Sequence, residues 1–209
     1  YKQAIKNNPD FSKALNNYAN FLLKQNRFEE ANINFLKAIS LEKNNADFFY
    51  NYGNSLYELN KLDDAEKNIK QAIRLNPKNS KFYNNLANVL SLQNKLEEAK
   101  FHYNQAIKCD PDYAEAYSNL ANTLQLEKNF LEAIKNYDKA FSLNQNIDYL
   151  SGRLLFSEVK LCRWKDHKHK KQILIKQINA GKKVIHPFPI QSIIDCPQIQ
   201  KKVSESYSE

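Results

Sequence analysis

Residues 80–113 read SKFYNNLANVLSLQNKLEEAKFHYNQAIKCDPDY, and the apolar and small positions of this stretch recur at intervals of 34 residues. Ala99 falls in a column with Ala31, Ala65 and Ala133, and Ala106 in one with Ala4, Ala38, Ala72 and Ala140. Tyr103 aligns with Tyr1, Phe35, Ile69 and Tyr137, Leu90 with Leu22, Leu56 and Leu124, and Leu96 with Phe28, Leu62 and Phe130. Pro111 repeats at Pro9 and Pro77, with Lys43 and Gln145 in the same column. A fixed period of this length marks a stacked-repeat architecture. Four repeats are complete, at 12–45, 46–79, 80–113 and 114–147, and residues 1–11 form the tail of another.

Each repeat reads as two helices. In the first helix of 80–113, Tyr83, Leu86 and Leu90 recur three or four residues apart, with small Ala87 beside Leu86. A polar break follows, as in Gln93-Asn94-Lys95, and the second helix opens on acids such as Glu97-Glu98 that suit its positive end. Proline punctuates the exit. One such pair cannot bury its own apolar face, so several must stack.

The pattern resembles the tetratricopeptide repeat over residues 1–147. That resemblance implies an all-α, right-handed superhelical solenoid of helix-turn-helix repeats whose first helices line a concave groove. Residues 148–209 are expected to form a helical cap and linker.

Composition narrows the function classes. The only glycines, Gly53, Gly152 and Gly181, stand singly, so no Gly-rich phosphate loop is present. No apolar run reaches the ~18 residues of a membrane span. Three widely spaced cysteines, Cys109, Cys162 and Cys196, fit reduced, packed thiols and a cytoplasmic setting rather than a disulfide framework. The sequence has no Met and opens at Tyr1 within a repeat, so it is expected to be a piece of a longer chain. The net charge of +8 is concentrated at the end, where residues 148–209 hold 12 Lys/Arg against 6 Asp/Glu. Without an aromatic array that charge gives a solvated capping face, not a nucleic-acid partner.

Two polar columns stand apart. Asn17, Asn51, Asn85 and Asn119 recur at one position of the first helix, and Asn20, Asn54, Asn88 and Asn122 three residues later. The i, i+3 spacing puts both on one helical face. Neighbouring columns vary, as in Asn16, Tyr50, Asn84 and Ser118, or Asn26, Asn60, Asn94 and Lys128. A carboxamide offers two donors and an acceptor, matching a peptide bond. The eight amides are therefore candidate peptide-binding residues, holding extended backbone while ignoring its side chains. At ~0.5–1.5 kcal/mol per hydrogen bond, such binding is expected to be weak and broad, micromolar or poorer. Compositional bias, descent from one ancestral repeat, and amides that brace adjacent repeats are the alternatives.

The double ladder resembles the repeat domain of O-linked N-acetylglucosamine transferases and their SPINDLY relatives. The resemblance implies that Asn17, Asn20, Asn51, Asn54, Asn85, Asn88, Asn119 and Asn122 hold protein substrates for a UDP-sugar-dependent catalytic region that this chain lacks. After Ile147 the repeat register fades. Leu161-Cys162-Arg163-Trp164, Ile178-Asn179-Ala180-Gly181, Pro187-Phe188-Pro189 and Asp195-Cys196-Pro197-Gln198 then follow in order. Their order resembles the linker of bacterial members of that family, except that Lys165 and a Lys/His run replace the acids expected after Trp164.

The cap itself reads as an amphipathic helix through Leu150, Leu154 and Leu161, then a helix led by residues 165–171 and stopped at Gly181. An extended connector over 184–190 and a last helix N-capped by Asp195, with Pro197 in its first turn, complete it. Trp164 is expected to anchor the cap core. His167 and His169 have no third ligand nearby in sequence, and Cys162 lacks an assigned base, so no metal, cofactor or catalytic residue is expected. The remaining rival function is a structural tetratricopeptide adaptor unconnected with glycosyl transfer.

Overall fold

The computed structural model describes residues 2–163 and 166–208, with side chains except those of Lys2, Phe188 and Ser208. Tyr1, Trp164, Lys165 and Glu209 lie outside the described residues, and with them the expected Trp164 anchor and the first residue of the basic lead. The described residues are all-α, as expected, and contain no strand.

After the short α1 (Lys2–Asn7), helices come in pairs. The first helices of successive repeats, here called A helices, are α2 (Ser12–Leu23), α4 (Ala46–Glu58), α6 (Ser80–Leu92) and α8 (Ala114–Leu126). Their B partners are α3 (Phe28–Leu41), α5 (Leu62–Leu75), α7 (Leu96–Cys109) and α9 (Phe130–Leu143). The chain divides into two compact units, residues 1–110 and 111–209.

The turn between the helices of a pair is built alike each time. Asn26, Asn60, Asn94 and Lys128 all adopt φ between 57° and 62°, the left-handed conformation that Asn tolerates better than most residues. The next amide, at Arg27, Lys61, Lys95 and Asn129, donates to the carbonyl of Leu22, Leu56, Leu90 and Leu124 respectively. This six-residue closure satisfies helix-end carbonyls that otherwise lack partners. The varying Asn26 column therefore has a backbone role.

Within residues 1–110, Ala19, Leu22, Ala31 and Phe35 form one buried cluster, and Leu15, Ala38 and Phe48 another. Ala31, Ala38, Ala65, Ala72, Ala99 and Ala106 are fully buried, because a larger side chain there would separate the helices of a pair, whereas Ala4 of the short α1 is exposed.

Within residues 111–209 the 34-residue register outlasts its alanines. Helix α10 (Leu150–Lys160) ends 34 residues after α8 ends. Cys162 takes the left-handed turn position at φ 52°, and the Arg163 amide donates to the Glu158 carbonyl, as Asn129 does to Leu124. Cys162 is consequently exposed at a surface turn instead of packed, and Leu161 also lies past the helix end and is exposed. Glu158 occupies the buried leucine column. Its carboxylate is held by Lys170, which also pairs with Asp138 at 2.8 Å, so this member of the basic run is a structural partner, not a solvated charge.

Helix α11 (His167–Asn179) stops at Gly181, whose φ of 73° suits glycine. Gly181 and Lys182 amides donate to Ile178 and Gln177 carbonyls. The following segment is not wholly extended. Residues 184–186 run open, with the carbonyls of Lys183 and Val184 accepting from the Tyr149 and Gly152 amides at the start of α10. Pro187 then starts a helical turn, α12 (Pro187–Ile190), because its fixed φ suits a first helical position. Helix α13 (Pro197–Ser208) begins at Pro197, with the Cys196 carbonyl accepting from Ile199 and Gln200. The cap position is thus Cys196, one residue beyond the expected Asp195. Leu155, Leu174, Ile178, Val184, Ile185, Ile190, Ile193, Ile194 and Val203 form the core of this part.

Candidate functional site

The eight asparagines stand on α2, α4, α6 and α8, two per helix. Asn17 is exposed and the other seven are half-buried. In residues 1–110, Asn17, Asn20 and Asn51 are brought together in one cleft of about 490 Å3, walled also by Asn16, Tyr50 and Phe82. Lys13, Asp47 and Lys81 stand at the same cleft. Asn54, Asn85 and Asn88 are not among its lining residues, and neither are Asn119 and Asn122.

Several amides are already partly engaged. Asn51 Nδ2 donates to Asn16 Oδ1 at 3.0 Å, across adjacent repeats. Asn85 Nδ2 donates to Asn54 Oδ1 at 2.9 Å and to the Tyr50 hydroxyl at 3.0 Å, again between repeats. The bracing alternative therefore has a physical basis for Asn51, Asn54 and Asn85. In the other pattern, the Tyr103 hydroxyl donates to Asn88 Oδ1 at 2.7 Å and the Tyr137 hydroxyl to Asn122 Oδ1 at 2.7 Å. Both tyrosines are buried, and a buried phenol needs a hydrogen-bond partner. Burial raises the Tyr50 and Tyr137 phenols above their ordinary value, which keeps both protonated. Anchoring Asn88 through oxygen leaves its Nδ2 group as a donor, whereas Asn122 shares the one Tyr137 proton with Gln125 Oε1, also at 2.7 Å.

Sequence reasoning passed over the contributors that fix the ladder. Asn16 and Asn84 are buried and Tyr50 half-buried, so the column judged variable supplies polar bracing through different chemistries. The hydroxyls of Tyr103 and Tyr137 were legible as departures from Phe35 and Ile69 in an otherwise apolar column.

Among the described residues no group of three His, Cys, Asp or Glu is placed to hold a metal ion, and no helix is long and apolar enough to cross a membrane. Cys109 and Cys162 are exposed and Cys196 is half-buried, all as free thiols.

Models of the tetratricopeptide repeat match residues 1–31, 68–101, 46–79 and 114–147, and one described as TPR repeat matches 89–128. A 50-residue stretch is 44% identical to "Protein O-mannosyl-transferase TMTC3" of Homo sapiens and of Mus musculus, covering 24% of this chain. It spans only 6% and 5% of those proteins' own length. The structure is similar to that of pilF from Pseudomonas aeruginosa, with TM-score 0.73 and 16% identity over 93% of this chain and 88% of that one. It is also similar to YrrB, described as "a TPR protein with an unusual peptide-binding site", with TM-score 0.64 and 17% identity over 98% and 97%. At those identities the structural likeness is one of fold. With four models of one repeat matching across 1–31 and 46–147, on helix pairs that keep its register, the chain belongs to the tetratricopeptide-repeat family.

Proposed function

We propose that this chain binds an extended polypeptide along the face of its A helices, holding the main chain through asparagine amides. We further propose that it is the substrate-recognition part of a protein O-glycosyltransferase. The observation that carries the binding role is the cleft in which Asn17, Asn20 and Asn51 stand together. The Nδ2 donor of Asn88, whose oxygen accepts from Tyr103, supports it. A tetratricopeptide protein with a named peptide-binding site supports the ligand class. The glycosyltransferase link is supported by the double ladder and by the stretch shared with a protein O-mannosyl-transferase.

The bonds from Asn51 to Asn16 and from Asn85 to Asn54 favour a second role, that of brace between repeats. The two roles separate by residue. Changing Asn17 and Asn20 to Ala removes cleft amides whose side chains make no bond across repeats among the described residues. An extended, uncharged, fluorescein-labelled peptide is expected to lose about tenfold in affinity, for two hydrogen bonds of ~0.5–1.5 kcal/mol each, with Tm unchanged. Changing Asn51 and Asn85 is expected to lower both affinity and Tm. Unchanged peptide binding in the Asn17/Asn20 variant, with the fold intact, sinks the binding role and leaves the brace.

A further inference from the structure

Helix α10 carries the two ladder positions with different chemistry. Thirty-four residues after Asn119 stands Arg153, and thirty-four after Asn122 stands Phe156. The correspondence is physical, since the left-handed turn at Cys162 and the bond from Arg163 to Glu158 repeat the geometry that follows α8. At the positions where the repeats place two neutral amides, α10 therefore places a cation and an aromatic ring.

These two side chains line a cleft of about 630 Å3 together with Asn122 and Gln125 of α8, and Lys128 and Lys160 stand at it as well. Three cations and no carboxylate are found among its lining residues. The Tyr137 hydroxyl lies 2.7 Å from both Asn122 Oδ1 and Gln125 Oε1 and has one proton to donate between them. That proton ties one of the two amides at a time to the buried ring, and the cations supply the other donors of the cleft. Lys160 Nζ sits 5.1 Å from the Phe156 ring centroid, which holds a charge beside an apolar wall. Leu126, 67% exposed, and Phe130 extend that wall. Three cations with no carboxylate among the lining residues, set against aromatic and aliphatic surface, complement a carboxylate adjacent to a bulky apolar side chain.

We propose that this cleft binds an acidic side chain next to a bulky apolar one in the polypeptide ligand, so that α10 reads side chains where the asparagines read backbone. The inference rests on polypeptide binding by the A helices, and the test keeps the two apart. Two fluorescein-labelled twelve-residue peptides are compared by anisotropy at low salt, one uncharged and Ser/Thr/Val-rich, the other identical except for a central Asp-Phe pair. The Asp-Phe peptide is expected to bind the wild-type chain about tenfold more tightly. That advantage is expected to vanish in Arg153→Gln, to shrink in Lys160→Gln, and to survive in the Asn17/Asn20 double alanine variant. It is also expected to fall with added salt. Equal affinity of the two peptides, no binding of either, or an advantage that persists in both Arg153→Gln and Lys160→Gln overturns the proposal. Binding of the Asp-Phe peptide alone, dependent on Arg153, upholds the cleft while contradicting the ladder. Asn17/Asn20-dependent binding of both peptides with equal affinity does the reverse.

Discussion

The cleft of residues 1–110 and the cleft of residues 111–209 share two helix columns, those of Asn17 and Asn20, and carry different kinds of chemistry. The first is walled by amides, with both signs of charge at it in Lys13, Asp47 and Lys81. The second has Arg153 and Phe156 at the corresponding columns, three cations and no carboxylate. A repeat scaffold fixes where a side chain stands, and the residue chosen at that place decides whether a ligand is recognised by its backbone or by its side chains. The contrast extends below the surface. Residues 1–110 are packed from small and apolar columns, whereas α10 puts the charge of Glu158 into a leucine column and Gly152 where Ser118 stood.

The largest expected difference lies in the ion pairs. Glu158 has a side chain 5% exposed and Lys170 one 16% exposed, so Lys170→Met leaves a buried carboxylate without its main partner and is expected to cost about 3 kcal/mol. In residues 1–110, Glu66 pairs with both Lys70 and Lys95, each 41% exposed. Lys95→Met leaves Lys70 in place and removes a solvent-screened charge, so it is expected to cost much less. Guanidinium denaturation of both variants measures this contrast, and equal losses would break it.

Next come the glycines. A Cβ on Gly152 would lie 2.6 Å from the Val184 carbonyl oxygen and 2.6 Å from Ile185 Cβ, where the backbone itself must move. Gly152→Ala is expected to cost about 2 kcal/mol. A Cβ on Gly53 would meet Ile69 Cγ1 at 2.6 Å and the Ile69 amide nitrogen at 3.3 Å, but no backbone atom closer than that. The buried, β-branched Ile69 must shift, and alanine gains about 1 kcal/mol over glycine inside a helix, so Gly53→Ala is expected to lower Tm by less than Gly152→Ala does.

The smallest effect is acid sensitivity in residues 1–110. Burial alone would raise the Glu66 carboxyl, but the hydrogen-bonded ammoniums of Lys70 and Lys95 outweigh it and hold the group down to about 2. A depressed folded-state value means the contribution is present above the ordinary carboxyl value of 4.5 and lost as pH falls toward 2. Glu66→Gln is expected to flatten the stability profile in that window, as followed by thermal melts at stepped pH.

Much of this was legible in the chain. Ala31, Ala65, Ala99 and Ala133 and the leucine column located every helix pair, because close helix approach tolerates only small residues at those points. The end of the register was misread for the same reason. Helix α10 keeps the repeat geometry while Leu155 replaces the small residue of Ala121, and its bulk is accommodated by the core around Leu174 and Ile185. The turn at residues 187–190 was hidden because proline disfavours the interior of a helix and favours its first position, and sequence does not say which applies. The asparagine positions were visible, but their partners were not. Asn16 and Tyr50 brace the same interface with different groups, so no single residue type marks the column. Arg153 and Phe156 became meaningful only once α10 was seen to stand in register.

If the A helices hold main chain instead of side chains, affinity depends on the amides of the ligand and not on its residue order. The most direct measurement compares an uncharged twelve-residue peptide with its depsipeptide, in which two central amides are replaced by esters, and with a sequence-scrambled peptide of the same composition. Each ester removes an N–H donor and weakens a carbonyl acceptor, so the depsipeptide is expected to bind about tenfold more weakly while the scrambled peptide binds as the parent does. Unchanged affinity for the depsipeptide, with binding lost on scrambling, would contradict the account.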